Sequence, residues 1–305
     1  MKENEDKKFI LLDYDTITHH CHTLYRIQSL KEFGDVLKGE RGGYVEKEEN
    51  LSHDDDCWIY DEAKVYGNAK VFSNAKISDE AEVCLDAIIL DNVEVCGNAK
   101  VGGNAKLHDN VKVFEKAHVY GNTLIFENVK ISGNAKVYGK AEIYGDAWIC
   151  DDSEVYDNAE IWDNALIFGE ANIYGNSKVC GNAKVFGNSN VRDNASIYGN
   201  ALVQGYTHVF GHSEIYGNSK INGKTEICNR TEICGNAIIN GREDYLFFYN
   251  GWTNIHYFTY TYSNEMWKYG NFHGTSEELL KQCDEDDKEV LEQYINFVKT
   301  LYGED

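Results

Sequence analysis

From Ile59 to Ile238 the chain runs through thirty consecutive six-residue units without an insertion, with Val-Tyr-Gly-Asn-Ala-Lys at 65–70 as the archetype. Every sixth residue from Ile59 to Ile239 is Val or Ile, apart from Leu107. Four places after each comes a small residue such as Ala63, Ala69, Thr123 or Ser153, with Val93, Val111 and Val129 the largest. A fixed short period decides the fold class before any other feature. A helix would need apolar residues every three or four positions, and an ordinary amphipathic strand would alternate and stop. Each hexad instead offers a short alternating stretch, as in Ala69, Lys70, Val71 and Phe72, and then a corner such as Gly67-Asn68. Gly and Asn accept the left-handed backbone that a sharp corner requires.

A second period sets the coil. Every third corner gives Asn74, Asn92, Asn110, Asn128, Asp146, Asn164, Asn182, Asn200, Asn218 and Asn236, whereas the column through Glu62, Lys116, Tyr206 and Lys224 is far less uniform. The structural unit is therefore 18 residues: a triangular coil of three strands, stacked about ten deep at ~4.8 Å. Asn side chains stacked in register can form hydrogen-bonded ladders along such an axis. The chain contains no proline, which would remove ladder donors inside the coils.

The flanks break the repeat. Residues 1–56 read as an N-terminal cap with strands at Phe9–Leu12 and Leu24–Ile27. Residues 57–242 form the repeat solenoid and 243–305 a C-terminal cap. That cap has two aromatic strands, Tyr245–Tyr249 and Ile255–Tyr262, a helix opened by a Thr275/Glu278 capping box, and a second helix carrying Val290, Leu291, Tyr294, Ile295, Val298 and Leu301. Caps protect the open ends of a solenoid from edge-to-edge pairing.

A formal charge of −22 excludes nucleic-acid binding by general electrostatics. No stretch approaches 18 apolar residues, so no membrane span is expected. The charged start, Met1 to Asp6, has no apolar signal core, and a cytoplasmic protein is the default expectation. Six of nine cysteines (Cys84, Cys96, Cys150, Cys180, Cys228, Cys234) point outward with no two a coil apart, which suits reduced thiols.

The hexads resemble the left-handed parallel β-helix of hexapeptide-repeat acyltransferases, over residues 59–242. Left-handedness is implied by that resemblance alone. The flanks, with Leu24-Tyr-Arg-Ile27, Gly42-Gly-Tyr-Val-Glu46, Asn50-Leu-Ser52, Cys57-Trp-Ile-Tyr60 and Gly270 to Thr275, resemble YdcK-like proteins of bacterial and prophage genomes, which are labelled acyltransferases. The resemblance implies a trimer and, if the chain is an enzyme, acyl-CoA as co-substrate with a His general base. No other cofactor is expected. The acyltransferases often interrupt their coils with a loop near the catalytic His, and their second hexad position is small. Here the coils are unbroken and that position is often Tyr, Phe or Trp.

Sorted by face, the outward residues give three surfaces. One carries Trp148, Cys150, Leu166, Phe168, Phe186 and Leu202, an apolar patch expected to be an oligomer contact. The second carries a ladder, Tyr120, Tyr138, Tyr156 and Tyr174; the third carries Phe126, Tyr144, Trp162, Tyr198 and Tyr216. Stacked aromatics support a sheet by cross-strand contact. Beyond Tyr174 the second face runs to Arg192, His208, Phe210, His212 and Arg230, with Tyr206 and Lys224 at the opposite corner. These basic groups on an acidic protein are the candidate site for a small anionic or nucleotide-like ligand, with Tyr206 and Phe210 stacking on its aromatic part. His208 and His212 are the candidate bases if the activity is acyl transfer. His19, His20, Cys21 and His22 form a dense run, but neighbours in a strand point to opposite faces, so no metal is expected. His108 and His118 are single.

Two functions fit. One is a non-catalytic solenoid, a rigid oligomeric scaffold or ligand-binding protein of phage or prophage origin. The other is an acyl-CoA-dependent O- or N-acyltransferase. The unbroken coils favour the first.

Overall fold

The computed structural model describes residues 7–250, 256–283 and 285–303. The chain divides into two compact units, Met1–Gly181 and Asn182–Asp305. In each unit every complete hexad contributes one two-residue strand, and successive coils pair in parallel 18 residues apart: Lys64–Val65 with Glu82–Val83 in the first, His208–Val209 with Glu226–Ile227 in the second. The backbone ladder follows. Lys64 N donates to Ala81 O at 2.9 Å, Tyr66 N to Val83 O at 3.0 Å and Asn68 N to Leu85 O at 2.7 Å. The repeated Val and Ile side chains are fully buried from Ile59 to Ile239, as are the small residues four places on. This is the three-sided parallel β-solenoid that the hexads require.

About eleven turns are built rather than ten. The additional rung comes from residues expected to belong to the cap. Strand β3 (Arg41–Val45) lies parallel beside Lys64–Val65, and Leu51 bridges Val71. Gly42 and Gly43 permit it, since a Cβ at either would meet the carbonyl oxygen of Ile59 at 2.5 Å or of Ala63 at 2.4 Å.

The corners adopt left-handed backbone whether or not glycine is present: Gly67 has φ 68°, Asp91 and Asp109 60°, Glu127 63°. An L residue there costs about 1 kcal/mol or more. The carboxylates offset this by accepting from the backbone of the next coil: Asp91 Oδ2 from Asp109 N at 3.1 Å, Asp109 Oδ2 from Glu127 N at 3.0 Å, Glu127 Oε2 from Gly145 N at 2.8 Å. Such charge-assisted bonds are stronger than neutral ones. The Asn column forms the ladder its spacing implies. In the first unit Asn74, Asn92, Asn110, Asn128 and Asp146 are linked Nδ2 to Oδ1 at 2.9–3.2 Å; in the second, Asn182, Asn200, Asn218 and Asn236 at 3.0–3.1 Å. Tyr120, Tyr138, Tyr156 and Tyr174 stack with centroids 4.8–4.9 Å apart, the spacing of the coils themselves.

In the first unit, strands β1 (Phe9–His19) and β2 (His22–Ser29) form an antiparallel hairpin, longer than expected, and β2 pairs with β3. The hairpin thereby continues the sheet edge that β3 opens and leaves the first coil covered. In the second unit the closing sheet has four antiparallel strands rather than two: Tyr245–Asn250, His256–Thr261, Met266–Tyr269 and Phe272–Gly274. The last two are short and joined by a tight Gly270-Asn271 turn, which hides their alternation. Ile255, where a strand was expected to begin, lies outside the described residues, as does Met1 to Asp6. Helices α1 (Ser276–Gln282) and α2 (Glu285–Tyr302) pack on this sheet around Phe258, Tyr260, Trp267, Leu279, Leu291 and Ile295. Thr275 caps α1 with Glu278 as a capping box. The sheet and the 3₁₀ turn Tyr262–Asn264 that follows its second strand seal the last coil: Thr259 Oγ1 accepts from Glu232 N at 3.2 Å and Ser263 Oγ from Ile238 N at 2.6 Å. Among the described residues no helix is long and apolar enough to cross a membrane.

Candidate functional site

The second unit contains a cavity of about 440 Å³ lined by His212, Glu214, Arg230, Glu232, Tyr257, Tyr269 and Gly270. The repeat places its inner wall. His212 and Arg230 occupy equivalent corner positions on successive coils, and Glu214 and Glu232 follow two residues later on the next strands, paired side by side. The closing sheet supplies Tyr257, Tyr269 and Gly270 as the outer wall. Arg230 lies with its guanidinium carbon 5.2 Å from the centre of the Tyr257 ring, a cation–π contact, and among the described residues its N–H groups make no hydrogen bond.

Two carboxylates side by side on a sheet repel one another, and each here is held. Tyr198 Oη donates to Glu214 Oε2 at 2.8 Å. Glu232 Oε2 accepts from Tyr216 Oη at 3.4 Å and pairs with Lys268 Nζ at 2.9 Å. Burial, reinforced by the neighbouring acidic groups, pushes both phenols well above the ordinary tyrosine range. They therefore stay protonated and act as donors. The site presents an imidazole and a guanidinium against two fixed anionic acceptors. It can receive N–H or O–H groups at the carboxylates and an anionic group at Arg230 together.

Of the residues singled out from sequence, only His212 and Arg230 line this cavity. Arg192 sits 4.3 Å over the Phe210 ring and bonds Asp193 Oδ2 at 3.2 Å, which occupies both side chains with each other. His208 lies on the strand flanked by Asn190 and Glu226. Tyr206, 63% exposed, and Lys224 occupy the other corner of that face, away from the lining. Glu214 and Glu232 could have been found from their 18-residue column. Tyr257 and Tyr269 lie outside the repeat and carry no periodic signal.

Of the apolar patch, Trp148 in the first unit is 44% exposed and bonds Ser132 Oγ through Nε1 at 3.0 Å, with Leu166 beside it and Phe168 half-buried. In the second unit Phe186 and Leu202 are half-buried. His108 bonds Asp109 Oδ2 at 3.0 Å and stacks on Phe126.

No protein-family model and no curated protein matches the chain. Among solved structures, it is similar to the UDP-N-acetylglucosamine acyltransferase of Francisella novicida (15% identity, TM-score 0.28, 52% of this chain and 62% of the enzyme). It is also similar to LpxA from Acinetobacter baumannii (18%, 0.31, 56% and 71%) and to the Arabidopsis UDP-N-acetylglucosamine acyltransferase (17%, 0.28, 66% and 70%). The chain thus spans less than two thirds of the first of these enzymes. Overlap at this level carries no inference about activity.

Proposed function

We propose that the second unit is an acyl-transfer site of the hexapeptide-repeat type, acting on a small acceptor that bears an amine or hydroxyl group and an anionic group. The observation that supports it is the placing of His212 in one cavity with Glu214, Glu232 and Arg230. A site for a plain anion would not set two carboxylates against its ligand, because like charges at such range are costly. An acceptor with N–H or O–H groups satisfies them, while Arg230 takes its anionic part through charge-assisted hydrogen bonds. His212 then acts as general base. The acceptor nitrogen or oxygen attacks the thioester carbonyl of acyl-CoA as the imidazole takes its proton. The C–S bond breaks, and the departing thiolate receives that proton. The repeat pattern, which resembles that of acyltransferases, agrees with this reading.

A second reading, retention of the same ligand without turnover, has its own support. Among the described residues no side chain holds the His212 ring by a hydrogen bond, whereas efficient bases are usually oriented. The protein is further proposed to form a trimer, as the resemblance implies, with Trp148, Leu166, Phe168, Phe186 and Leu202 as contact residues. Thiol release from acyl-CoA thioesters of several chain lengths, with amine and hydroxyl acceptors, separates the two readings. Acceptor-dependent release supports transfer, and a retained ligand without release supports binding alone.

A further inference from the structure

The tyrosine column of the first unit is interrupted once. Its members are Tyr66, Cys84, Gly102, Tyr120, Tyr138, Tyr156 and Tyr174, so two successive coils carry small residues where the others carry phenols. The missing rings leave a cavity of about 250 Å³. A Cβ at Gly102 would already come within 3.1 Å of Cys84 Sγ. The β1–β2 hairpin brings its tip to this notch. His20 and Cys21, with φ 46° and 67°, form its two-residue turn, and His19 pairs with His22 across it. Two successive positive φ values suit the primed hairpin turns. They also break the strand alternation that would send His19 and His20 to opposite faces.

The two imidazoles instead meet, with ring centres 4.2 Å apart at 66°. Glu82, on the coil beneath, completes a group of three. His19 Nε2 lies 3.2 Å from Glu82 Oε2. One donor atom from each of His19, His20 and Glu82 falls within 4.8 Å of the others. The His19 Nε2 atom is buried and makes no hydrogen bond among the described residues. At 3.2 Å the imidazole and the carboxylate make an ion pair when the ring is protonated, and when it is neutral they are two donors that a shared cation can join. Glu82 is further positioned by Lys100 Nζ at 3.2 Å from Oε1 and by Tyr66 Oη at 3.3 Å from Oε2. His22 is engaged elsewhere, with Glu46 at 2.8 Å.

We infer that His19, His20 and Glu82 form a divalent-cation site, suited above all to zinc, whose remaining coordination position faces the notch left by Cys84 and Gly102. Two imidazoles and one carboxylate are borderline ligands that favour Zn²⁺ over Mg²⁺ or Ca²⁺. Three protein ligands with one open position are the pattern of an open zinc site, not of a closed four-ligand structural one. Metal–ligand distances of ~2.0–2.2 Å place tetrahedral donors about 3.4 Å apart, so binding requires donors now within 4.8 Å to draw together, with His20 the exposed member of the three. The open position admits water or a small oxygen or nitrogen donor, with Lys100 and His118 lining the space beside it.

The full chain, stripped with chelator and dialysed, is titrated with Zn²⁺ alone by calorimetry. The expected result is one ion per chain, an affinity reduced at least ~10-fold in both His20→Asn and Glu82→Gln, and no change in His108→Gln. Asn keeps the left-handed turn, and a thermal melt without metal checks that both variants fold. Zn²⁺ should raise the melting temperature of the parent but not of the two variants. Unchanged affinity in both variants would overturn the assignment. So would loss of binding in Cys21→Ser or Cys84→Ser with His20→Asn unaffected, which would put the ion on the thiols.

Discussion

Lys268 Nζ, from the closing sheet, lies 2.9 Å from Glu232 Oε2 on the last coils, and the lysine is only 8% exposed. Lys268 also donates to the Gly270 carbonyl, at the rim of the cavity. One cation thus joins the sheet to the repeat and steadies one of the two carboxylates that face the proposed acceptor. Replacing it with methionine leaves Glu232 without its cation beside Glu214. We expect Lys268→Met to destabilise the second unit by about 1–3 kcal/mol, the cost of losing hydrogen bonds to a charged group. Chemical denaturation measures this, and an unchanged midpoint would show that the pair contributes nothing.

The Asn ladder gives a smaller and separable effect. Asn110 accepts from Asn92 at 3.2 Å and donates to Asn128 at 3.0 Å. Asn110→Ala should cost about 1–2 kcal/mol in urea unfolding, from two bonds of roughly 0.5–1 kcal/mol each at an exposed edge. Asn110→Asp retains the acceptor and should cost less.

Acid should weaken the first unit. The Asp35 carboxyl is held below its ordinary range by Tyr60 and Lys76, Glu46 by His22, Glu48 by Lys7 and His53, and Glu154 by Lys136 and Tyr138. Each folded value lies below the unfolded one, so the stability they contribute is fully present above ~4.5 and drains as pH falls through the folded values. His118 is also depressed, by burial and by Lys100 and Lys136. It prefers to be neutral when folded, so its contribution is full above ~6.5 and lost on acidification. Melting temperature should therefore decline gently below pH ~6.5 and steeply below ~4.5. Glu154→Gln should flatten the lower limb. A rise in stability on acidification would contradict these assignments.

Trp148 tests the proposed assembly. An exposed indole flanked by Leu166 belongs to the kind of patch that marks contact surfaces. Light scattering at micromolar concentration should give the mass of a closed oligomer for the parent chain and that of a monomer for Trp148→Glu. A monomeric parent would refute the proposal.

The buried aliphatic column and the Asn ladder were legible because each depends on a repeat that the coil must reproduce every 18 residues. Even the carboxylate-bearing corners, which replace glycine at positive φ, sit in that register. Legibility ended where the repeat does. Tyr257, Tyr269 and Lys268 come from the closing sheet, and no period announces which coil residues they will face. The basic column from Arg192 to Arg230 was visible, but a count of residues per face could not show that Arg192 is taken by Phe210 and Asp193. It could not show that the corner behind His212 and Arg230 is the one the sheet encloses. At the hairpin, alternation argued against His19 and His20 meeting, and the two-residue turn set that argument aside.

The most direct test of the functional account compares two histidines four residues apart. His212 lines the cavity and His208 does not. Acceptor-dependent thiol release from acyl-CoA should fall by ~100-fold or more in His212→Gln, the loss expected for a general base, and stay close to the parent rate in His208→Gln. Equal rates in His212→Gln and the parent would contradict the account.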